Sequence, residues 1–178
     1  MQALPSAGPD RAGPENAGPE PAVQALMLAS RAFVGLTVRA LAAVEADVTL
    51  PQFRALVVLA VRGTLRSADI AEELQVNPST GTRMTDRLAA KGLVRRVRST
   101  DDRRVVRLRL TREGHDIVER VMARRRAELE RIVAATAGVW RPAVTEALTA
   151  FAAAAGEMPE QEWWLGWRQH ADDPEQDA

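Results

Sequence analysis

The spacing of hydrophobic positions changes several times along the chain, and each change marks an element. From Pro21 to Val48, the residues Val23, Leu26, Met27, Phe33, Val34, Leu41 and Val44 recur at helical spacing over a surface wider than one solvated face. This predicts a long helix that buries itself against other helices or a second subunit. Thr49 and Gln52 stand at capping-box spacing ahead of a second helical run, with Pro51 in its first turn and Gly63 at its end. A short helix over 67–75 is expected next, capped by Ser67 and turning Ile70, Ala71 and Leu74 inward. After the turn Val76-Asn77, Asn77 is the expected cap of a helix over 78–91 that opens on Pro78 and stops at Gly92. Met84 and Leu88 face the core there, while Ser79, Thr80, Thr82, Arg83, Asp86 and Arg87 face elsewhere.

The period then shortens to two. In "VVRLRL", Val106, Leu108 and Leu110 fall on one face and Arg107 and Arg109 on the other, the mark of a half-buried strand. Leu93 to Arg98 is its strand partner, and Ser99 to Arg103 the connecting loop, so the pair forms a ribbon with a basic tip. Helical spacing returns after Thr111, the expected cap of a long helix with Ile117, Val118, Val121, Met122, Leu129, Ile132 and Val133 as its stripe. A last helix runs from Pro142 to Gly156.

The predicted fold is mainly α with a small β-hairpin wing: a winged helix-turn-helix flanked by long N- and C-terminal dimerisation helices. Its expected segments are a disordered Ala-Gly-Pro-rich tail (1–20), an N-terminal dimerisation helix (21–48), the winged domain (49–111), C-terminal dimerisation helices (112–156), and a Trp-rich segment with an acidic tail (157–178). Trp163, Trp164 and Trp167 are apolar enough to require burial against the dimerisation helices.

Charge changes the picture only through its distribution, because the 178-residue chain is formally neutral. From Pro78 to Thr111, ten basic side chains stand against three acidic ones, a balance of +7, while Gly156 to the C-terminus carries −6. One concentrated basic segment in a neutral chain suits a polyanion. Cysteine is absent, which excludes disulfides, thiolate metal sites and cysteine-based redox sensing. The two histidines, His115 and His170, are too few for a zinc site. No nucleophile-base set and no Gly-rich phosphate loop stands out, so neither an enzyme nor a cofactor is expected. An apolar run of membrane-spanning length and a signal pattern both look absent, and the expected location is the cytoplasm.

A helix-turn-helix places its second helix in the major groove. Ser79, Thr80 and Thr82 offer short hydroxyls to base edges or phosphates, and Arg83 and Arg87, one turn apart, suit guanine edges or flanking phosphates. Gly81 weakens the helix by roughly 1 kcal/mol against Ala, which close approach to DNA or to the preceding helix would justify. Arg98, Arg103 and Arg104 at the ribbon tip are placed for the adjacent minor groove. Arg107 and Arg109 read as flank support or phosphate contacts. An ordinary solvated surface is the competing explanation for all of these arginines, and i,i+4 pairing accounts for Arg124 to Arg126.

Three stretches, "LPQFRALVVLA", "ADIAEELQVNPSTGTRMTDRLAAKGLVRR" and above all "DDRRVVRLRLT", resemble the MarR family of bacterial winged-helix transcription regulators. The last is similar to the family's wing signature, met here by Asp102, Arg104, Leu110 and Thr111, and the match runs from about Thr49 to Glu119. The resemblance implies a homodimer held by the terminal helices, Arg104 reaching the minor groove with Arg103 beside it, and Asp102 orienting the wing. The expected function is a sequence-specific regulator of double-stranded DNA, a repressor of a palindromic operator released by a small-molecule effector. The alternative is an architectural DNA-binding protein that needs no ligand or palindrome.

Overall fold

The computed structural model describes residues 19–44, 47–98 and 105–157. In chain order these form α1 (Pro19–Ala42), α2 (Leu50–Arg62), α3 (Ser67–Glu73), α4 (Pro78–Ala90), β1 (Val94–Arg98), β2 (Val106–Leu110), α5 (Arg112–Ala135), a 3-10 turn (Ala137–Val139) and α6 (Pro142–Ala154). The chain is mainly α with one antiparallel hairpin. It divides into two compact units, 1–35 and 36–178, and the described part of the first is helix throughout.

The core lies in the second unit. Leu56 and Leu59 of α2, Ile70 of α3, Leu88 of α4, and Val118 and Val121 of α5 are fully buried, and Leu93, Val94, Leu108 and Leu110 bring the base of the hairpin into the same cluster. Each such side chain contributes about 1.5–3 kcal/mol by leaving water. Helices α2 to α5 and the hairpin therefore hold one another in place. The end of α1 joins them through Ala40 and Leu41, followed by Val44 and Val48.

Several boundaries differ from the sequence reading. Helix α1 stops at Ala42 and does not reach Val48, because the buried Val44 is drawn in by a tight bond from its N–H to the Leu41 carbonyl (3.2 Å). The described α1 is also long and apolar enough, by length and composition alone, to cross a membrane, contrary to expectation. In its last turns Leu36, Ala40 and Leu41 are buried in the protein while Val38 is exposed, and Arg31 and Arg39 interrupt it with charge. Helix α3 is capped at Arg66, with Ser67 already inside the helix, because the Arg66 N–H donates to the Asp69 carboxylate (3.0 Å). Asn77 caps α4 by position only: its carbonyl accepts from Thr80 N–H (2.9 Å) and Gly81 N–H (3.1 Å), and its side chain makes no capping bond. At α2, by contrast, the Thr49 N–H donates to Gln52 Oε1 (3.0 Å) as the spacing implies.

Helices α3 and α4 end alike. After α3, Gln75 N–H bonds the Glu72 carbonyl and Val76 N–H the Ala71 carbonyl, each at 2.9 Å, with Gln75 at φ 54°. After α4, Gly92 at φ 71° plays the same part, with bonds from Gly92 to Ala89 and from Leu93 to Leu88, each at 3.0 Å. These paired bonds satisfy carbonyls that the helix leaves open and reverse the chain. Glycine adopts that conformation without a Cβ penalty, whereas Gln75 holds it at a steric cost.

In the hairpin, Val94 faces Leu110 and Arg98 faces Val106 across the register. Its base is pinned from the other side by Leu65, whose N–H and carbonyl both bond Leu108 (3.1 and 2.6 Å). Val106, expected to face inward, is 48% exposed, because its end of the strand extends past the core. Thr111 fastens the hairpin to α5: its hydroxyl donates to the Gly92 carbonyl (2.6 Å) and accepts from Gly114 N–H (3.2 Å), and its N–H donates to the Leu93 carbonyl (3.2 Å).

Helix α4 lies against α3 at a distance that only glycine permits. A Cβ on Gly81 would stand 2.6 Å from the Ala71 Cβ and 3.1 Å from the Ser67 carbonyl oxygen. Gly81→Ala is therefore expected to destabilise the fold by about 1–3 kcal/mol through overpacking, although alanine is the better helix former. Urea denaturation measures it, and combination with Ala71→Gly should cost less than the sum of the two single changes. A second expectation concerns acid. The hydrogen bond from Arg66 holds the Asp69 carboxyl below the ordinary carboxylate range. A lowered folded-state pKa contributes stability that is complete above the unfolded value, about 3.9, and is lost as pH falls through the folded value. Asp69→Asn should thus lower the melting temperature at pH 7, and this deficit should shrink in acid below about pH 4.

Candidate nucleic-acid interface

The exposed side of α4 is built by its buried side. Gly81, Met84, Thr85 and Leu88 are buried against α3, α2 and the hairpin, and this fixes the rotation of the helix. Ser79, Thr80, Thr82, Arg83, Asp86 and Arg87 consequently all lie in solvent along the outer face. Close packing with α3 accounts for Gly81, so of its two possible reasons the first helix supplies the one seen here.

The side chains on this face are partly organised by their own helix. Thr82 Oγ1 donates to the Pro78 carbonyl (3.0 Å), and Arg83 Nε donates to the Ser79 carbonyl (3.3 Å). Asp86, the acidic residue of this face, is bridged to Arg96 of β1 at 2.5 Å, both side chains being about half exposed. That bridge joins the helix to the hairpin and also consumes one of the positive charges counted in the sequence. Lys91 is engaged in the same way by Asp47 (2.9 Å). Neither pairing has a local signal in the sequence, because both partners come from different elements.

Arg98 is exposed at the last register pair of β1. Asp102, Arg103 and Arg104 lie outside the described residues, as do the tip of the hairpin and the Trp163–Trp167 segment. Arg107 and Arg109 on β2 are half-buried along the strand. The structure thus brings Ser79, Thr80, Thr82, Arg83 and Arg87 together on one helix face, with Arg98 on the adjoining strand.

A further charged pair went unread in the sequence. Arg66, just ahead of α3, binds Asp69 through Nε (3.0 and 3.1 Å) and Nη2 (2.6 Å). The same contact raises the Arg66 pKa, first through the hydrogen bond and then through the charge of Asp69. Asp69 also feels Arg107 from β2, so this pair sits where α3 meets the hairpin. The available signal was an acidic residue at the third helical position, the spacing of a capping box with arginine in place of serine or threonine.

Among the described residues, no group of three or more His, Cys, Asp or Glu side chains is placed to hold a metal ion. The outer face of α4 presents hydroxyls and guanidinium groups beside the Asp86 carboxylate, and such donors suit phosphates and base edges.

The profile of the MarR family matches residues 48–106, which spans α2 to the start of β2. The HTH-type transcriptional repressor MdtR of Bacillus subtilis is 44% identical over 84 residues, covering 47% of this chain and 54% of MdtR. The chain thus spans about half the length of the curated relatives it matches. Among solved structures, RV1404 from Mycobacterium tuberculosis superposes with a TM-score of 0.73 at 38% identity, over 79% of this chain and 95% of that one. YusO from Bacillus subtilis follows at 0.54 and 31%, over 79% of this chain and 99% of its own. The outward face of α4, the hairpin joined to it and this continuous match agree: the chain belongs to the MarR family.

Proposed function

We propose that the chain is a homodimeric, sequence-specific DNA-binding transcription regulator, a cytoplasmic repressor of a palindromic operator that a small-molecule effector releases. The observation that carries the reading is the polar, arginine-bearing face of α4, turned to solvent next to a hairpin of arginine-rich strands. In this reading Ser79, Thr80, Thr82, Arg83 and Arg87 enter the major groove, while Arg98, Arg103 and Arg104, oriented by Asp102, serve the wing in the minor groove. The repressor role draws on the name of MdtR. It is a binding function and involves no catalysis.

Exposed apolar side chains support the dimer. Met27 (62% exposed), Leu28 and Val34 of α1, and Val139 and Phe151 (52%) near the C-terminus, lie open in the single chain. Helix α6 has no buried residue at all. Large apolar side chains exposed in this number are ordinarily covered, and the occupant consistent with a palindromic operator is a second copy related by a two-fold axis. The dimerisation segments are then 21–48 and 112–156, and the winged domain is 49–111. An effector acts only through its differential affinity for two dimer geometries, one of which matches half-sites spaced about 34–36 Å apart.

Selection of bound duplexes from random sequence tests the reading, with a recovered inverted repeat as the expected result. Equal binding of scrambled duplexes would point instead to an architectural protein. In the recovered complex, Arg104→Ala should weaken binding without altering the melting temperature or the dimer; unchanged affinity at matched salt rejects the wing assignment. Sedimentation should give a dimer at micromolar concentration, and a monomer there would sink the half-site mechanism.

A further inference from the structure

We propose that Arg66 is a DNA-backbone contact outside the recognition helix and the wing, and that Asp69 is the residue that positions it. The proposal rests on the DNA-binding reading above and adds to it a contact that neither the sequence motif nor the hairpin signature includes.

The Ser67 carbonyl oxygen lies 3.1 Å from where a Cβ on Gly81 would stand, so the chain around Arg66 runs beside the first half of α4. On the other side Leu65 is bonded in both directions to Leu108, and Arg107 of β2 contributes to the field at Asp69. Arg66 is therefore set between the two elements assigned to the grooves. In a helix-turn-helix, the first helix crosses the phosphate backbone.

Asp69 takes the Nε–H and one Nη2 hydrogen of Arg66, which is a side-on pairing. A guanidinium has five N–H donors in a rigid fork, so Nη1 and the second Nη2 hydrogen remain as another parallel pair, the spacing that a phosphate accepts. The Arg66 side chain is 57% exposed and that of Asp69 29%, which places the charge outward and its support inward. The Asp69 carboxylate is itself held by the Arg66 backbone N–H (3.0 Å), so the whole unit is anchored to the start of α3.

The competing role for Asp69 is a neutraliser that keeps Arg66 from binding anions. The two roles predict opposite signs. Removing a carboxylate near DNA ordinarily tightens binding, whereas removing a positioning group weakens it.

The test uses the full-length chain and two labelled duplexes of about 30 base pairs, three helical turns. One duplex is recovered from the random pool and the other is its scrambled counterpart, and both are titrated over a salt series. Arg66→Ala should weaken both duplexes by the same factor and lower the salt slope by about two units, as loss of one phosphate contact from each protomer of the dimer does. Arg66→Lys should keep the slope at lower affinity, because a point charge replaces the fork. Asp69→Asn should weaken binding despite removing a negative charge. Melting temperature and sedimentation establish that each variant is folded; if Asp69→Asn is not, Asp69→Ser retains an acceptor for the Arg66 N–H and serves in its place. Binding by the Asp69 variant that equals or exceeds wild type overturns the positioning role. A steep wild-type salt slope that Arg66→Ala leaves unchanged overturns the contact alone. A wild-type chain from which the selection recovers no bound duplex overturns the DNA-binding reading itself.

Discussion

The missing side chain at position 81 sets the geometry on which the rest of this chain depends. Ala71 of α3 approaches so closely that a single methyl group on Gly81 would stand 2.6 Å away. That approach seats α4 on α3 and buries Met84, Thr85 and Leu88. The outward direction of Ser79, Thr82, Arg83 and Arg87 follows from it, because a helix with one face buried has no freedom left about its axis. Packed interiors do not deform smoothly, so a shift at this contact would carry the whole polar face with it.

A second close contact extends the same order to the hairpin and to α5. Gly114 faces the Leu93 carbonyl oxygen and leaves no room for a Cβ. Through Thr111, the first turn of α5 is bonded to the Gly92-Leu93 turn that ends α4. The start of the long helix, the end of α4 and the base of the hairpin are thus one hydrogen-bonded junction.

Charge is arranged differently from hydrophobic surface. The concentrated basic stretch is moderated by single carboxylates brought from other elements: Asp86 on Arg96 and Asp47 on Lys91. Arg66, outside that stretch, is held by Asp69 from one turn along the chain. Exposed pairs of this kind add little stability, typically below about 1 kcal/mol. Their effect is on direction, since each holds a long cation in one orientation at the edge of the face that α4 presents.

The sequence by itself determined the order and type of the elements, because period and punctuation are local: Gly63 and Gly92 end helices, Thr111 starts one, and the alternation of Leu108 and Leu110 with arginines marks a strand. It also named the outward residues of α4, since helical spacing separates Met84 and Leu88 from Arg83 and Arg87 without reference to the rest of the chain. Tertiary structure alone decided where local patterns end or are overruled. Helix α1 closes at Ala42 because Val44 turns into a core built by distant helices, and Val106 is exposed because the core does not reach it. It alone gave Gly81 its reason, and it placed Leu65 against Leu108 and Asp86 against Arg96. Contacts between residues far apart in the chain depend on how elements pack, and no period in the sequence encodes that distance.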